Sequence, residues 1–148
     1  MPRHTTLIPL SRDHHEALLI ALRLKKGGPA SPHDRLWSTE LAKQKHSLLL
    51  FYERELLPHF TLEEEILFPA ALAVPEVHET IKNLLAQHQK MREMMHGISQ
   101  TNDEAQLKKE LADFGLMLES HIRIEERELF PKLEEAVNRG KIVLPELK

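Results

Sequence analysis

The sequence predicts an all-α fold, an antiparallel up-down-up-down four-helix bundle in a single domain. Three observations lead there. Helical periodicity recurs four times along the 148 residues, each time between Gly, Pro, Ser or Asn breakers. No segment sustains the apolar–polar alternation of a half-buried strand. The connections between the four stretches are short, and short connections set successive helices side by side in opposite directions. A chain of this length buries a sizeable core, expected over about residues 10–139, with the tail Lys141–Lys148 lying loosely on the surface.

The first helix is expected from about Ser11, as N-cap, to Lys26, with Gly27-Gly28-Pro29 ending it. At about 100° per residue, Leu10, His14, Ala17, Ala21 and Leu24 share one narrow face, while Arg12, Glu16, Arg23 and Lys26 define the opposite side. His14 therefore sits at the centre of the inward stripe and His15 at its edge. The second helix is expected to begin near His33 or Asp34, capped by Ser31 or Asp34, and to run towards Phe68. Pro58 lacks a backbone donor and predicts a kink within it. Its inward stripe reads Leu48, Tyr52, Leu56, His59, Glu63 and Ile66, so that Glu64 and Glu65 can face water; Glu55 falls near the stripe.

Pro69 and Pro75 bracket the next connection, and the third helix is expected over about Glu76 to His96, with Gly97 as its stop signal. Val77, Ile81, Leu84, Leu85, His88 and Met95 form its stripe. Thr101 or Asn102 is expected to cap the fourth helix, which runs to about Asn138 before Gly140. Leu111, Phe114, Leu118, His121 and Glu125 face inward there, with Glu128 peripheral.

Composition excludes several classes of function. A net charge of −3 with no basic run argues against a nucleic-acid partner. The absence of cysteine removes disulfides, thiolate metal sites and cysteine nucleophiles. No apolar stretch approaches the roughly 20 residues of a membrane span, and no apolar segment follows Met1–Thr6, so no secretory signal is visible. A cytoplasmic protein with no membrane partner is the expectation.

The chemistry lies in a repeated motif. Residues 59–69 and 121–131 both read His-x-x-x-Glu-Glu-x-x-Leu-Phe-Pro, offset by 62 residues. On a helix, positions i and i+4 share a face, so each copy offers one imidazole and one carboxylate together. His14 and His88 stand on the stripes of the other two helices. Glu63 and Glu125 at the centre of apolar stripes are costly unless paired or bound to a metal. Imidazole and carboxylate donors suit iron, manganese, zinc or nickel. Two six-coordinate ions offer about twelve positions; four histidines, two bridging glutamates and a bridging oxygen leave about two open for a small ligand.

The Glu-x-x-His motif of ferritin-like sites is missing before His59, His88 and His121, where Leu56, Leu85 and Leu118 stand instead. From Asp13-His14 through the first His-Phe-x-x-Glu-Glu and Leu-Phe-Pro, Gln87-His88, and the second His-x-x-x-Glu-Glu to Phe130-Pro131, the chain resembles the hemerythrin family, the HHE cation-binding domains. That resemblance implies a four-helix bundle holding two non-haem iron ions with a bridging oxo or hydroxo group. By motif match the ligands would be His14, His59, Glu63, His88, His121 and Glu125, with Glu63 and Glu125 bridging. Oxygen-carrying hemerythrins place a second histidine four residues from the first on the third helix; here Leu84 and Arg92 hold those positions. A water or a carboxylate such as Glu55 could take that place. The expected partner is a diatomic molecule, oxygen or nitric oxide, or a peroxide, in a protein that binds or senses it or reports iron and redox status. An enzyme reducing peroxide or nitric oxide is the alternative, with Tyr52 the one further acid. A metal-free helical interaction module is the third.

Overall fold

The computed structural model describes residues 3–147; Met1, Pro2 and Lys148 lie outside the described residues. Those residues form four helical rods joined by loops and short 3₁₀ turns, with no strand among them. No helix among them is long and apolar enough to cross a membrane.

The first helix spans Ile8–Lys26, behind a 3₁₀ turn at Thr5–Leu7. It begins before Ser11, which is not the cap: its hydroxyl donates to Glu126 across the bundle at 2.8 Å. Gly27 ends the helix at φ 74°, a left-handed conformation suited to glycine, and Gly27 and Gly28 donate back to the Arg23 carbonyl. Arg23 is buried, contrary to the polar-face expectation. Its guanidinium lies over Trp37 and donates to Asp34 at 2.8 and 2.9 Å. Asp34 also accepts the Ala30 and Leu36 backbone N–H groups. It organises the loop instead of capping a helix, and the second helix starts later than expected, at Leu41, after Glu40.

The second helix runs continuously over residues 41–71 although Pro58 and Pro69 lie within it. A proline removes a donor and crowds the carbonyl four residues back. Here a wide π turn precedes each proline: Leu57 N–H reaches back to Tyr52 O, and Phe68 N–H to Glu63 O. The fourth helix, residues 104–138, repeats the device before Pro131, with Phe130 N–H bonded to Glu125 O. Each such turn inserts a residue into the helical repeat. The buried positions after Glu63 and Glu125 are consequently Leu67-Phe68 and Leu129-Phe130, whereas Ile66 is only partly buried and Glu128 is exposed.

The third helix spans His78–Gln100, behind a 3₁₀ turn at Pro75–Val77. It passes through Gly97, which does not stop it, and Leu85 is exposed on its outer side. Asp103, not Thr101 or Asn102, caps the fourth helix by accepting the Gln106 N–H at 2.9 Å. The C-terminal tail is not loose. Ile142, Leu144 and Leu147 are buried in an apolar cluster with Leu7, Leu10, Val74 and Val77, whereas Val143 between them is exposed.

Two apolar clusters fill the interior, and each helix crosses both. The first helix meets one with Leu10 and the other with Ala17; the second meets the latter with Leu56 and the former with Leu67. The third passes from Leu84 to Met91, and the fourth from Leu118 to Leu129. The order thus alternates from helix to helix.

Candidate metal centre

Between the two apolar clusters lies a polar layer made of His14, His59, Glu63, His88, His121 and Glu125. None is more than 5% exposed. His15, by contrast, is exposed, as the helical projection required. All six sequence-predicted residues therefore come together, one histidine from each helix and one glutamate from each of the two long ones.

The donors form two sets that share both carboxylates. His14 and His59 belong to one, His88 and His121 to the other, and within each set one donor atom per residue lies within 4.8 Å of the rest. The Nε2 atoms of His14 and His59 are 3.2 Å apart, those of His88 and His121 3.1 Å. His14 Nε2 lies 2.9 Å from Glu125 Oε1, and His88 Nε2 lies 3.1 Å from Glu63 Oε1. Within each motif copy, the i,i+4 pair places His59 Nε2 3.5 Å from Glu63 and His121 Nε2 3.6 Å from Glu125.

Every imidazole is held from behind. His14 Nδ1 donates to Glu126 at 2.6 Å, His59 Nδ1 to Asp13 at 3.0 Å, His88 Nδ1 to Glu64 at 2.6 Å and His121 Nδ1 to Gln87 at 2.8 Å. A carboxylate or amide oxygen accepts here, so Nδ1 carries a proton, and a ring that gives up its other proton turns the lone pair of Nε2 to the centre. The braces run in a ring: the first helix holds the histidine of the second, the second that of the third, the third that of the fourth, and the fourth that of the first. Glu64, expected to face water, is a brace. Sequence reasoning missed all four, although each adjoins a ligand candidate in Asp13-His14, Glu63-Glu64, Gln87-His88 and Glu125-Glu126. The Leu-Phe-Pro ending also has a purpose here. Phe68 stacks on His88 with ring centroids 5.7 Å apart, and Phe130 stacks on His14 at 5.6 Å.

The carboxylates are the unfinished part. Glu63 Oε2 and both oxygens of Glu125 are fully buried and meet no donor in hydrogen-bonding geometry, despite the close approach of His14. Orphaned buried charge of this kind is costly. A cation between the carboxylates would satisfy it, and nitrogen and oxygen donors without sulfur are the set expected for iron, manganese or zinc. The residues therefore fit a metal site.

A cleft of about 240 Å³ opens onto His14, His59 and His121. Its walls are Ala17, Phe51, Leu56, Phe60, Leu118 and Ile122, and Asp13, Glu16 and Glu55 line it as well. Glu55 is exposed there and is not among the clustered donors. In the other set, Phe60 covers His88, stacking on it at 4.0 Å.

Protonation follows from the same geometry. Burial lowers the basicity of His14, but the Glu125 carboxylate 2.9 Å away and the hydrogen bond to Glu126 outweigh it and raise its pKa to about 9. Burial also opposes charge on His59, yet Glu63, Asp13 and Glu125 move it well above the ordinary histidine value. For Glu63, burial favours the neutral acid, but the charge of His59 above all keeps it well below the usual carboxylate range. An unfolded histidine titrates near 6.5. The stability contributed by protonated His14 is thus fully present below about pH 6.5 and lost as pH rises through about 9. The melting temperature of the metal-free protein, measured in chelator, should therefore fall across that window, while metal affinity strengthens because uptake displaces protons. A flat profile between those pH values would contradict this.

An all-helical bundle with a buried layer of histidines and glutamates defines a class of cation-binding helical domain. The model of one such family, the hemerythrin HHE cation-binding domain, matches residues 6–133, and the chain belongs to that family. No curated protein and no solved structure gives a significant match.

Proposed function

We propose that this chain is a non-haem di-iron protein that binds or senses a small ligand, oxygen or nitric oxide, at an open coordination position beside His14 and His59. The reading includes an antiparallel up-down-up-down bundle, supported by the alternating order in which successive helices meet the two apolar clusters. The observation that carries the proposal is the pair of donor sets sharing Glu63 and Glu125, three of whose four carboxylate oxygens have no hydrogen-bond partner. The same orphaned oxygens weigh against a metal-free interaction module. His14, His59, His88 and His121 would hold the ions with the two glutamates, and the bound iron would supply redox and ligand-binding chemistry. The four braces orient the imidazoles, and Phe60 and Phe68 keep water from His88. The cleft leads a small molecule to the other set, and its mainly apolar walls favour an uncharged one.

The test is titration of iron-loaded protein with nitric oxide or azide, followed by its visible and near-ultraviolet absorption. The bands should change saturably at about one ligand per chain, as expected of an open site. Bands that ignore oxygen, nitric oxide and azide alike would refute ligand binding.

A further inference from the structure

Two of the four braces are themselves held by arginine. Arg92 donates to both oxygens of Glu64, Nη1 to Oε2 at 2.9 Å and Nη2 to Oε1 at 3.0 Å. The same Oε2 accepts His88 Nδ1–H at 2.6 Å. The Arg92 guanidinium also lies 5.8 Å from the centre of the Phe60 ring, and Phe60 in turn stacks on His88 at 4.0 Å. Arg92 therefore reaches His88 by two routes, one hydrogen-bonded and one stacked. Across the bundle, Arg3 makes a looser version of the arrangement, pairing mainly with Glu134 at 2.7 Å. It contacts Glu126 at 3.2 Å and lies 5.4 Å over Phe130, which stacks on His14, while Glu126 accepts His14 Nδ1–H. The outcome is one arginine–glutamate–histidine relay in each donor set. The second histidine of each set, His59 or His121, is braced by Asp13 or Gln87, and among the described residues neither brace is clamped by an arginine.

We propose that Arg92 is a positioning residue for the centre: by clamping Glu64 bidentately it holds His88 in the rotamer and tautomer that present Nε2 to the ion shared with His121. The Glu64 side chain is 27% exposed. Without the arginine it can swing to water, and its hydrogen bond to Nδ1 becomes one option among several. Lysine, a point charge, cannot replace the fork. The inference rests on the metal-binding reading above.

Two measurements test it. In metal-free protein, the His88 Nδ1–H should give a protected imidazole N–H resonance. Arg92→Gln should broaden it or speed its exchange while leaving those of His59 and His121 unchanged. In iron-loaded protein challenged with a ferrous chelator, Arg92→Gln should release one ion per chain roughly tenfold or more faster, the usual scale for residues behind a ligand. The other ion should leave at the wild-type rate. Glu64→Gln should have a similar effect, the double variant should add nothing further, and Arg92→Lys should rescue at most partly. The metal-free melting temperature should shift by no more than a few degrees, as for a partly exposed ion pair. Equal acceleration of both ions, additive effects in the double variant, or wild-type release and exchange in Arg92→Gln would overturn the proposal. Wild-type protein that takes up no metal would overturn the metal reading, whereas metal-loaded wild type with an indifferent Arg92→Gln variant would overturn this inference alone.

Discussion

Glu63→Ala should yield a folded chain whose affinity for iron falls by more than about 100-fold, a larger loss than removing a residue behind a ligand causes. Glu63 belongs to both donor sets, so one substitution removes an oxygen donor from each. It also removes one of the two carboxylates that make a cation welcome in the bundle interior. The effect on stability should depend on metal. At a thousandfold excess over Kd, binding contributes about 4 kcal/mol, or roughly 10 °C in melting temperature for a chain of this size. The variant should lose that gain. Its metal-free melting temperature should change far less, because the deleted carboxylate includes an oxygen with no hydrogen-bond partner. Metal analysis and thermal melts with and without ferrous iron check both points. Unchanged metal content together with an unchanged melt would remove Glu63 from the site.

Gly115→Ala should cost about 1–3 kcal/mol through overpacking while leaving metal content intact. A Cβ at Gly115 would lie 2.9 Å from Ala21 O and from Leu24 Cβ, and 3.2 Å from Lys25 N. Two of these atoms are backbone, so the first helix itself would have to move away from the fourth. Gly97→Ala is the control. Its Cβ would meet only the end of the Glu110 side chain at 3.4 Å, inside a regular helix. It should be neutral or stabilising by up to about 1 kcal/mol, since alanine loses less entropy on folding. Chemical denaturation of the two metal-free variants separates them. A Gly115→Ala variant as stable as the parent would mean that the first and fourth helices do not approach so closely.

The contrast between these glycines shows what sequence alone could resolve. Gly27 and Gly140 fall where helices end, with φ of 74° and 71°, and both were legible as stops. Gly97 looked the same in sequence but serves inside a helix, because nothing local distinguishes a stop from a tolerated glycine. The six donor candidates were legible because burial of a charged or imidazole group on an apolar stripe is a strong signal, and the 100° projection separated His14 from His15. The braces were not. Asp13, Glu64, Gln87 and Glu126 lie at the edge of each stripe, and their partners belong to neighbouring helices. Only the relative placement of two helices shows that the residue beside one ligand candidate serves the next. The wide turns were also invisible. Pro58 and Pro69 read as a kink and an end, yet each is absorbed by one i→i−5 bond, which also shifts the buried face from Ile66 to Leu67 and Phe68. Arg23 read as a polar-face residue because its partner Asp34 lies in a loop whose path the sequence does not specify.

His14, His59, Glu63, His88, His121 and Glu125 would together form one centre for two ions. Its most direct test is iron quantification on protein expressed in iron-supplied medium, read together with the absorption spectrum. About two irons per chain are expected, the number that two donor sets hold, with charge-transfer bands that respond to azide or nitric oxide. Protein that carries no iron, takes up no ferrous iron, manganese or zinc, and melts at the same temperature with and without them would contradict it.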